Sequence, residues 1–167
     1  MWNEQIIMML LEGIKDTLYM TLTSTLIGYV IGLPMGILLT VTDKDGIHPN
    51  AAVYKVLDVI ANLIRSVPFL ILLIVLIPFT RFLIGRSYGP TATIVPLVIA
   101  AAPYIARMVE SSLKEVDAGV IEAARSMGAS NFTIVTKVML VEARTSLIVG
   151  ATISLGTILG YSAMAGT

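Results

Sequence analysis

Residues 17–41 carry no charged side chain. At about 1.5 Å of rise per residue this run outlasts a ~30 Å hydrocarbon core, and it predicts a membrane-spanning helix. A second apolar stretch, residues 56–84, predicts a span over about 57–84, although Asp58 and Arg65 sit in its first third. A third span is expected over about 91–113, where an apolar run passes into a helix bearing Arg107, Glu110 and Lys114, and a fourth over the uncharged residues 146–165. The fold class is therefore an all-α polytopic membrane helical bundle. Residues 1–16 are only mildly amphipathic, and with Trp2 suited to an interface they are expected to lie at the membrane surface ahead of the first span. Within that span Gly28, Gly32 and Gly36 recur every four residues, a ridge against which a second helix can approach closely, with Pro34 beside it as a source of bending. Arg65 at the bilayer centre would cost about 2.5–3.5 kcal/mol on insertion scales, so it is expected near the polar boundary or against other protein.

The polar interruptions are as informative as the spans. Residues 42–54 contain the turn sequence Asp43-Lys44-Asp45-Gly46, then Pro49-Asn50, and hold the single histidine, His48, for which a solvated position and no chemistry are expected. Residues 81–90 read as a short exit loop. Arg107, Glu110 and Lys114 form opposite-charge pairs at i, i+3 and i, i+4, expected as a solvated face of a helix leaving the membrane. Residues 115–143 form an amphipathic segment. Asp117 is suited to cap a helix over residues 118–127, Gly128 to take the left-handed conformation past its end, and Ser130 to cap a second helix. Val120, Ile121, Ala124 and Met127 are expected on one face of the first helix, and Phe132, Val135 and Met139 on one face of the second. Two half-apolar helices meeting at a glycine read as a docking surface.

Composition agrees with the membrane class: 56% of residues are hydrophobic and 13% charged, against the usual quarter charged in soluble domains. The formal net charge is zero and the chain has no cysteine. Nucleic acid is therefore not an expected partner, and disulfides, thiolate metal sites and cysteine nucleophiles are excluded. No phosphate-cradling G-x-x-x-x-G-K-[ST] occurs, so any ATP hydrolysis belongs to a separate subunit. The one histidine lies in a loop and no paired aspartates lie within the spans, which argues against an intramembrane enzyme; no catalytic residue, cofactor or metal site is assigned. A passive channel would leave the docking segment unexplained. The N-terminus lacks a positive n-region and a small-residue cleavage site, so the first span is expected to be retained. Lysine and arginine concentrate in the segment between spans three and four, which places it in the cytoplasm with residues 42–54 and the N-terminus outside.

The order Glu122-Ala123-Ala124, three residues, then Gly128, with Val138-x-Leu140 following, resembles the EAA loop of the membrane permeases of bacterial ATP-binding-cassette (ABC) importers of the binding-protein-dependent type. RSVPF from Arg65, IPFTR from Ile77, AAPYIARMVE from Ala101 and GYSAMAG from Gly160 extend the likeness along nearly the whole chain to permeases of methionine importers. Val141 and Thr145 stand where the family usually has prolines. The resemblance implies one importer transmembrane domain over residues 1–167, a further C-terminal span, and alternating access coupled to a separate ABC ATPase. A substrate-binding lipoprotein, a second copy of the chain and a small amino-acid substrate are the other partners implied. Methionine, or another amino acid of the same class, is the implied cargo. Glu122, Ala123, Ala124, Gly128 and Phe132 are the implied ATPase-coupling residues.

For the pathway, the fourth span offers one stripe: Ser154, Thr157, Tyr161 and Met164 at i, i+3, i+7 and i+10. These weakly polar groups gain nothing from lipid and are the translocation-pathway candidates, with Met164 as a flexible apolar plug near the outer end. The competing role for the hydroxyls is bonding back to carbonyls of their own helix.

Overall fold

The computed structural model describes residues 4–165; Trp2 lies outside them. Helix α1, Glu4–Thr42, is 39 residues long and takes in residues 4–16, which were expected to lie apart on the membrane surface. Nothing in that stretch breaks the i→i−4 ladder, and the Thr17 hydroxyl donates back to the Gly13 carbonyl at 2.7 Å, so the helix runs on without a joint. Residues 43–50 form the turn, closed by Gly46 N–H donating to the Asp43 carbonyl at 2.9 Å. Asn50 then caps α2, Ala51–Ser66, its side chain accepting from Val53 N–H at 3.2 Å.

The second span is not one continuous helix. Helix α2 is followed by α3, Phe69–Val75, bent from it by 101°, and then by α4, Ile77–Ile84. The break falls where Pro68 pushes the preceding residue out of the helical region, and Val67 is extended at φ −84°, ψ 124°. Pro78 sits in the first turn of α4, where its missing N–H costs no hydrogen bond. Arg81 belongs to α4, so the exit loop shrinks to residues 85–89.

Helix α5, Pro90–Lys114, is the centre of the bundle and keeps helical geometry through Pro96 and Pro103. Helix α6, Ala118–Ser126, follows after three residues. The chain then passes through a single turn α7, Asn131–Thr133, a π-helical turn Ile134–Met139 and a short α8, Leu140–Glu142, before α9, Arg144–Met164. The turn at Ala143 ends α8 even with Val141 and Thr145 in place of prolines.

The glycine ridge of α1 packs on α5. A Cβ built on Gly32 would lie 2.6 Å from the Ala102 carbonyl oxygen, and one on Gly36 would lie 2.6 Å from that of Ala106. Ala101, Ala102 and Ala106 supply the facing small side chains, all buried. Lipid is as apolar as leucine, so helices associate there through van der Waals contact, and this contact is closest where no Cβ intervenes. Outward-facing residues such as Leu26, Val30 and Ile148 leave an apolar exterior suited to lipid or to a neighbouring chain.

Gly32→Ala and Gly36→Ala are each expected to lower stability by about 1–3 kcal/mol through overpacking. Gly13→Ala, where the added carbon would meet nothing within 4 Å, is expected to be neutral or stabilising by up to about 1 kcal/mol. Unfolding of the purified protein in detergent measures the contrast, and equal loss at Gly13 and Gly32 would contradict the packing described.

Candidate functional site

The segment of residues 115–143 is built by local rules. Asp117 caps α6, its carboxylate accepting from Gly119 N–H at 2.7 Å. Gly128 takes φ 81°, a left-handed value that a side chain would strain. Ser130 then caps the next turn, accepting from Thr133 N–H at 3.2 Å. All three positions are those expected from the sequence.

The faces differ from the expected ones. In the first helix Ala124 is buried and Ile121 half-buried, but Val120 is exposed and Met127 is 82% exposed. In the second, Phe132 is 78% exposed while the buried residues are Ile134 and Met139. For the second helix the π-helical turn is the reason. Its wider i→i+5 hydrogen bonding aligns side chains five apart, so Ile134 and Met139 share the inner face and a face drawn at the α-helical period no longer applies. Met127, Gly128 and Phe132 are all exposed around the turn. Of the expected coupling residues, Glu122, Ala123, Gly128 and Phe132 are exposed, and Ala124 anchors the helix inward. Glu122 and Arg125 line a cavity of about 480 Å³ together with Asp43, Asp45 and Lys114; Gly128 and Phe132 are not part of its wall.

Two connections run from this segment into the bundle. Arg125 donates through its Nη2 to the Ile47 carbonyl at 2.9 Å, tying α6 to the loop after α1. Beneath lies an ionic cluster that the sequence pattern placed in solvent: Glu110 is only 5% exposed. Its carboxylate accepts from Arg107 at 2.7 Å and from Lys114 at 2.8 Å. Arg107 also pairs with Asp58 of α2 and donates to the Asn62 side chain at 2.9 Å. Lys114 pairs with Asp43 at 2.7 Å and lies 5.9 Å from the centre of the Tyr54 ring. The face is covered because α2 packs on α5 there and the loop after α1 folds over its end. Asp58, a carboxylate inside an apolar run, was the available sequence signal. The hydrogen bond from Lys114 holds the Asp43 carboxyl below its ordinary value of 3.8. A depressed carboxylate pKa means that this link is fully formed above the ordinary value and is lost only as pH falls through the lower, folded one. It is therefore constant across neutral pH.

The pathway candidates do not share one environment. Ser154 is fully buried and donates to the Gly150 carbonyl at 2.8 Å. Thr157 donates to the Ile153 carbonyl at 2.9 Å and approaches the Tyr104 hydroxyl at 3.4 Å. Tyr161 stacks on Phe69 with ring centres 4.7 Å apart and planes 8° from parallel. Met164 is exposed. Both hydroxyls thus bond back to α9, and Thr157 and Tyr161 are the members that reach toward α3 and α5. Among the described residues no group of histidine, aspartate and glutamate is arranged to hold a metal ion.

Residues 7–167 match the family model described as the inner membrane component of binding-protein-dependent transport systems. The chain is 51% identical over 164 residues to the D-methionine transport system permease protein MetI of Salmonella typhimurium, covering 98% of this chain and 76% of that protein. The MetI protein of Escherichia coli is likewise 51% identical over 98% of this chain and 76% of its own length. A solved inward-facing structure of the MetNI methionine ABC transporter superposes with a TM-score of 0.96 at 50% identity, covering 99% of this chain and 76% of that chain.

Removing the shared carboxylate takes one of two carboxylate partners from each of two cations. Glu110→Ala is expected to cost about 2–3 kcal/mol, the loss of buried charged hydrogen bonds moderated by the Asp58 and Asp43 partners that remain. Lys114→Ala, at a position with 42% of the side chain exposed, is expected to cost only about 1 kcal/mol after solvent screening. Thermal or denaturant unfolding in detergent compares the two, and a larger loss at Lys114 would reverse the assigned hierarchy.

Proposed function

Since the chain belongs to the family of binding-protein-dependent transport system inner membrane components, we propose that it is the permease subunit of an ATP-driven methionine importer. It works in the inner membrane by alternating access. The observation that carries this function is the outward-facing Met127–Gly128–Phe132 turn, an exposed apolar knob on a segment tied to the spans by Arg125 and the Glu110 cluster. Exposed methionine and phenylalanine at a rigid, capped turn suit the centre of a protein interface. The partner is a separate ABC ATPase that binds and hydrolyses the nucleotide. A second copy of the chain completes the pathway, and a substrate-binding lipoprotein delivers the amino acid from outside. Methionine as cargo is supported by the names of relatives about half identical to this chain.

In this mechanism ATP-driven closure of the paired ATPases displaces α6. The displacement reaches α5 through the short connection 115–117 and through Arg125, the loop after α1 and the Asp43–Lys114 pair. The two copies then exchange inward- and outward-open packings, a rigid-body transition between discrete states. Glu122, exposed beside Arg125, is assigned to a salt-sensitive contact with a basic group on the ATPase.

Proteoliposomes holding this chain, its ATPase and its binding protein are expected to accumulate labelled methionine only with ATP. Accumulation of a different amino acid in its place would move the cargo assignment and keep the importer. Phe132→Ala is expected to weaken capture of the ATPase by about 2 kcal/mol or more, the range of interface anchors. Gly128→Val adds about 1–2 kcal/mol of local strain and should misalign the same surface. Unchanged ATPase capture with normal uptake in both variants would remove the turn from the coupling route. For topology, single cysteines at Asp45 and Ser130 are expected to react with an impermeant thiol reagent only from the cytoplasmic side, and one at Ser87 only from outside. Labelling of Ser130→Cys in intact cells would invert the orientation.

A further inference from the structure

Arg65 is a charged group that neither the fold nor the docking segment uses. It ends α2 at the 101° break before α3, lies two helical turns, about 10 Å, further along α2 than Asp58, and is exposed. Among the described residues it makes no ion pair or hydrogen bond, whereas Arg107 has three side-chain partners. Its level in the bundle is fixed by its neighbours. It lines a cavity of about 170 Å³ with Val67, Phe69, Tyr104 and Tyr161, and with Ala100, the eleventh residue of the 25-residue α5. That is mid-span. A guanidinium turned to lipid at this depth is costly, and charged groups inside spans face the bundle interior or a water-filled cavity.

The cavity has one formal charge, positive, and no carboxylate in its wall. Its remaining polar groups are the Tyr104 and Tyr161 hydroxyls, and the Phe69–Tyr161 stack supplies an aromatic wall. An oxyanion completes such a site. We propose that the cavity at the α2–α3 break is a substrate subsite in which Arg65 pairs with the α-carboxylate of the transported amino acid. The side chain and ammonium group lie against the Tyr104, Phe69 and Tyr161 rings, where a thioether packs well and a cation is attracted to the ring faces. The planar guanidinium fork matches a carboxylate with two parallel hydrogen bonds. This assignment rests on the importer function above and adds the group of the substrate that is recognised. A lipid phosphate offers the same oxyanion chemistry. The mid-span level favours the carboxylate, because headgroups lie at the ends of α5.

The test uses the assembled permease–ATPase complex, with Val67→Cys as the reporter in a chain that has no other cysteine. Labelling by a small methanethiosulfonate is expected to slow about tenfold at methionine near ten times its Kd, and not to slow with methioninamide, which lacks the carboxylate. Adding Arg65→Gln should abolish that protection while the unprotected labelling rate and the unfolding temperature persist; Arg65→Lys should restore part of it. Protection that survives Arg65→Gln overturns the proposal, as does a cysteine that never reacts. Labelling indifferent to methionine but slower in anionic phospholipid than in neutral detergent assigns Arg65 to lipid and also overturns it. In each case intact uptake by the wild-type complex leaves the importer standing; loss of wild-type uptake removes the function and the subsite together.

Discussion

Backbone-to-backbone approach between α1 and α5 is the contact on which the rest of the bundle depends. Water drives apolar surfaces together in a soluble core, but between helices in lipid that force is absent, and close van der Waals contact has to replace it. Gly28, Gly32 and Gly36 remove the Cβ layer from one helix, and Ala101, Ala102 and Ala106 thin it on the other. With α5 held this way along its length, the remaining elements are arranged around it: α2, α3 and α4 on one side, α9 on another.

Where α5 leaves the membrane, packing gives way to charge. Glu110 holds Arg107 and Lys114, and each of those cations takes a second carboxylate from a different element: Asp58 from α2, Asp43 from the loop after α1. Buried ion pairs contribute little net stability compared with apolar packing, yet their directional requirements fix which groups meet. One glutamate thereby sets the register of three elements next to the segment 115–143. Arg125 adds a fourth connection from α6 to the same loop. Glycine contact determines how near the helices lie, and the cluster determines how their ends beside residues 115–143 are aligned.

Features set within a few residues were legible in the sequence. The spans, the glycine ridge and the caps at Asp117 and Ser130 follow from composition, spacing and backbone chemistry, each acting locally. What was not legible depends on direction or on distant partners. Hydropathy sums composition and is blind to a change of course, so residues 57–84 read as one span although Pro68 turns the chain after Val67. The π-helical turn inserts one residue into the helical repeat with no compositional mark, and that offset moved Phe132 from the expected inner face to the surface. Glu110 looked solvated because its neighbours at three and four residues satisfy it; Asp58, which helps to cover it, is far away in sequence. The stripe on α9 was correct as a spacing, but spacing does not reveal that the Ser154 and Thr157 hydroxyls are already bonded to their own helix.

The glycine spacing also constrains how the proposed transport motion can occur. Sliding α1 along α5 by less than one turn would bring Cβ atoms of α1 against backbone that now faces Gly32 and Gly36, at separations that no real Cβ tolerates. Sliding by a full turn would restore the match at two of the three glycines, but at a displacement of about 5.4 Å that the Lys114–Asp43 pair does not survive. The pair α1–α5 therefore moves as one body. The elements free to change their angle are those held by side-chain contact: α9, bonded to α5 through Ser146 and Thr157, and α3, stacked on α9 through Phe69 and Tyr161. The Phe69–Tyr161 stack also walls the cavity beside Arg65. A displacement of α6 that tilts the rigid pair against α3 and α9 would thus change the opening of that cavity without breaking the packing that holds the bundle together.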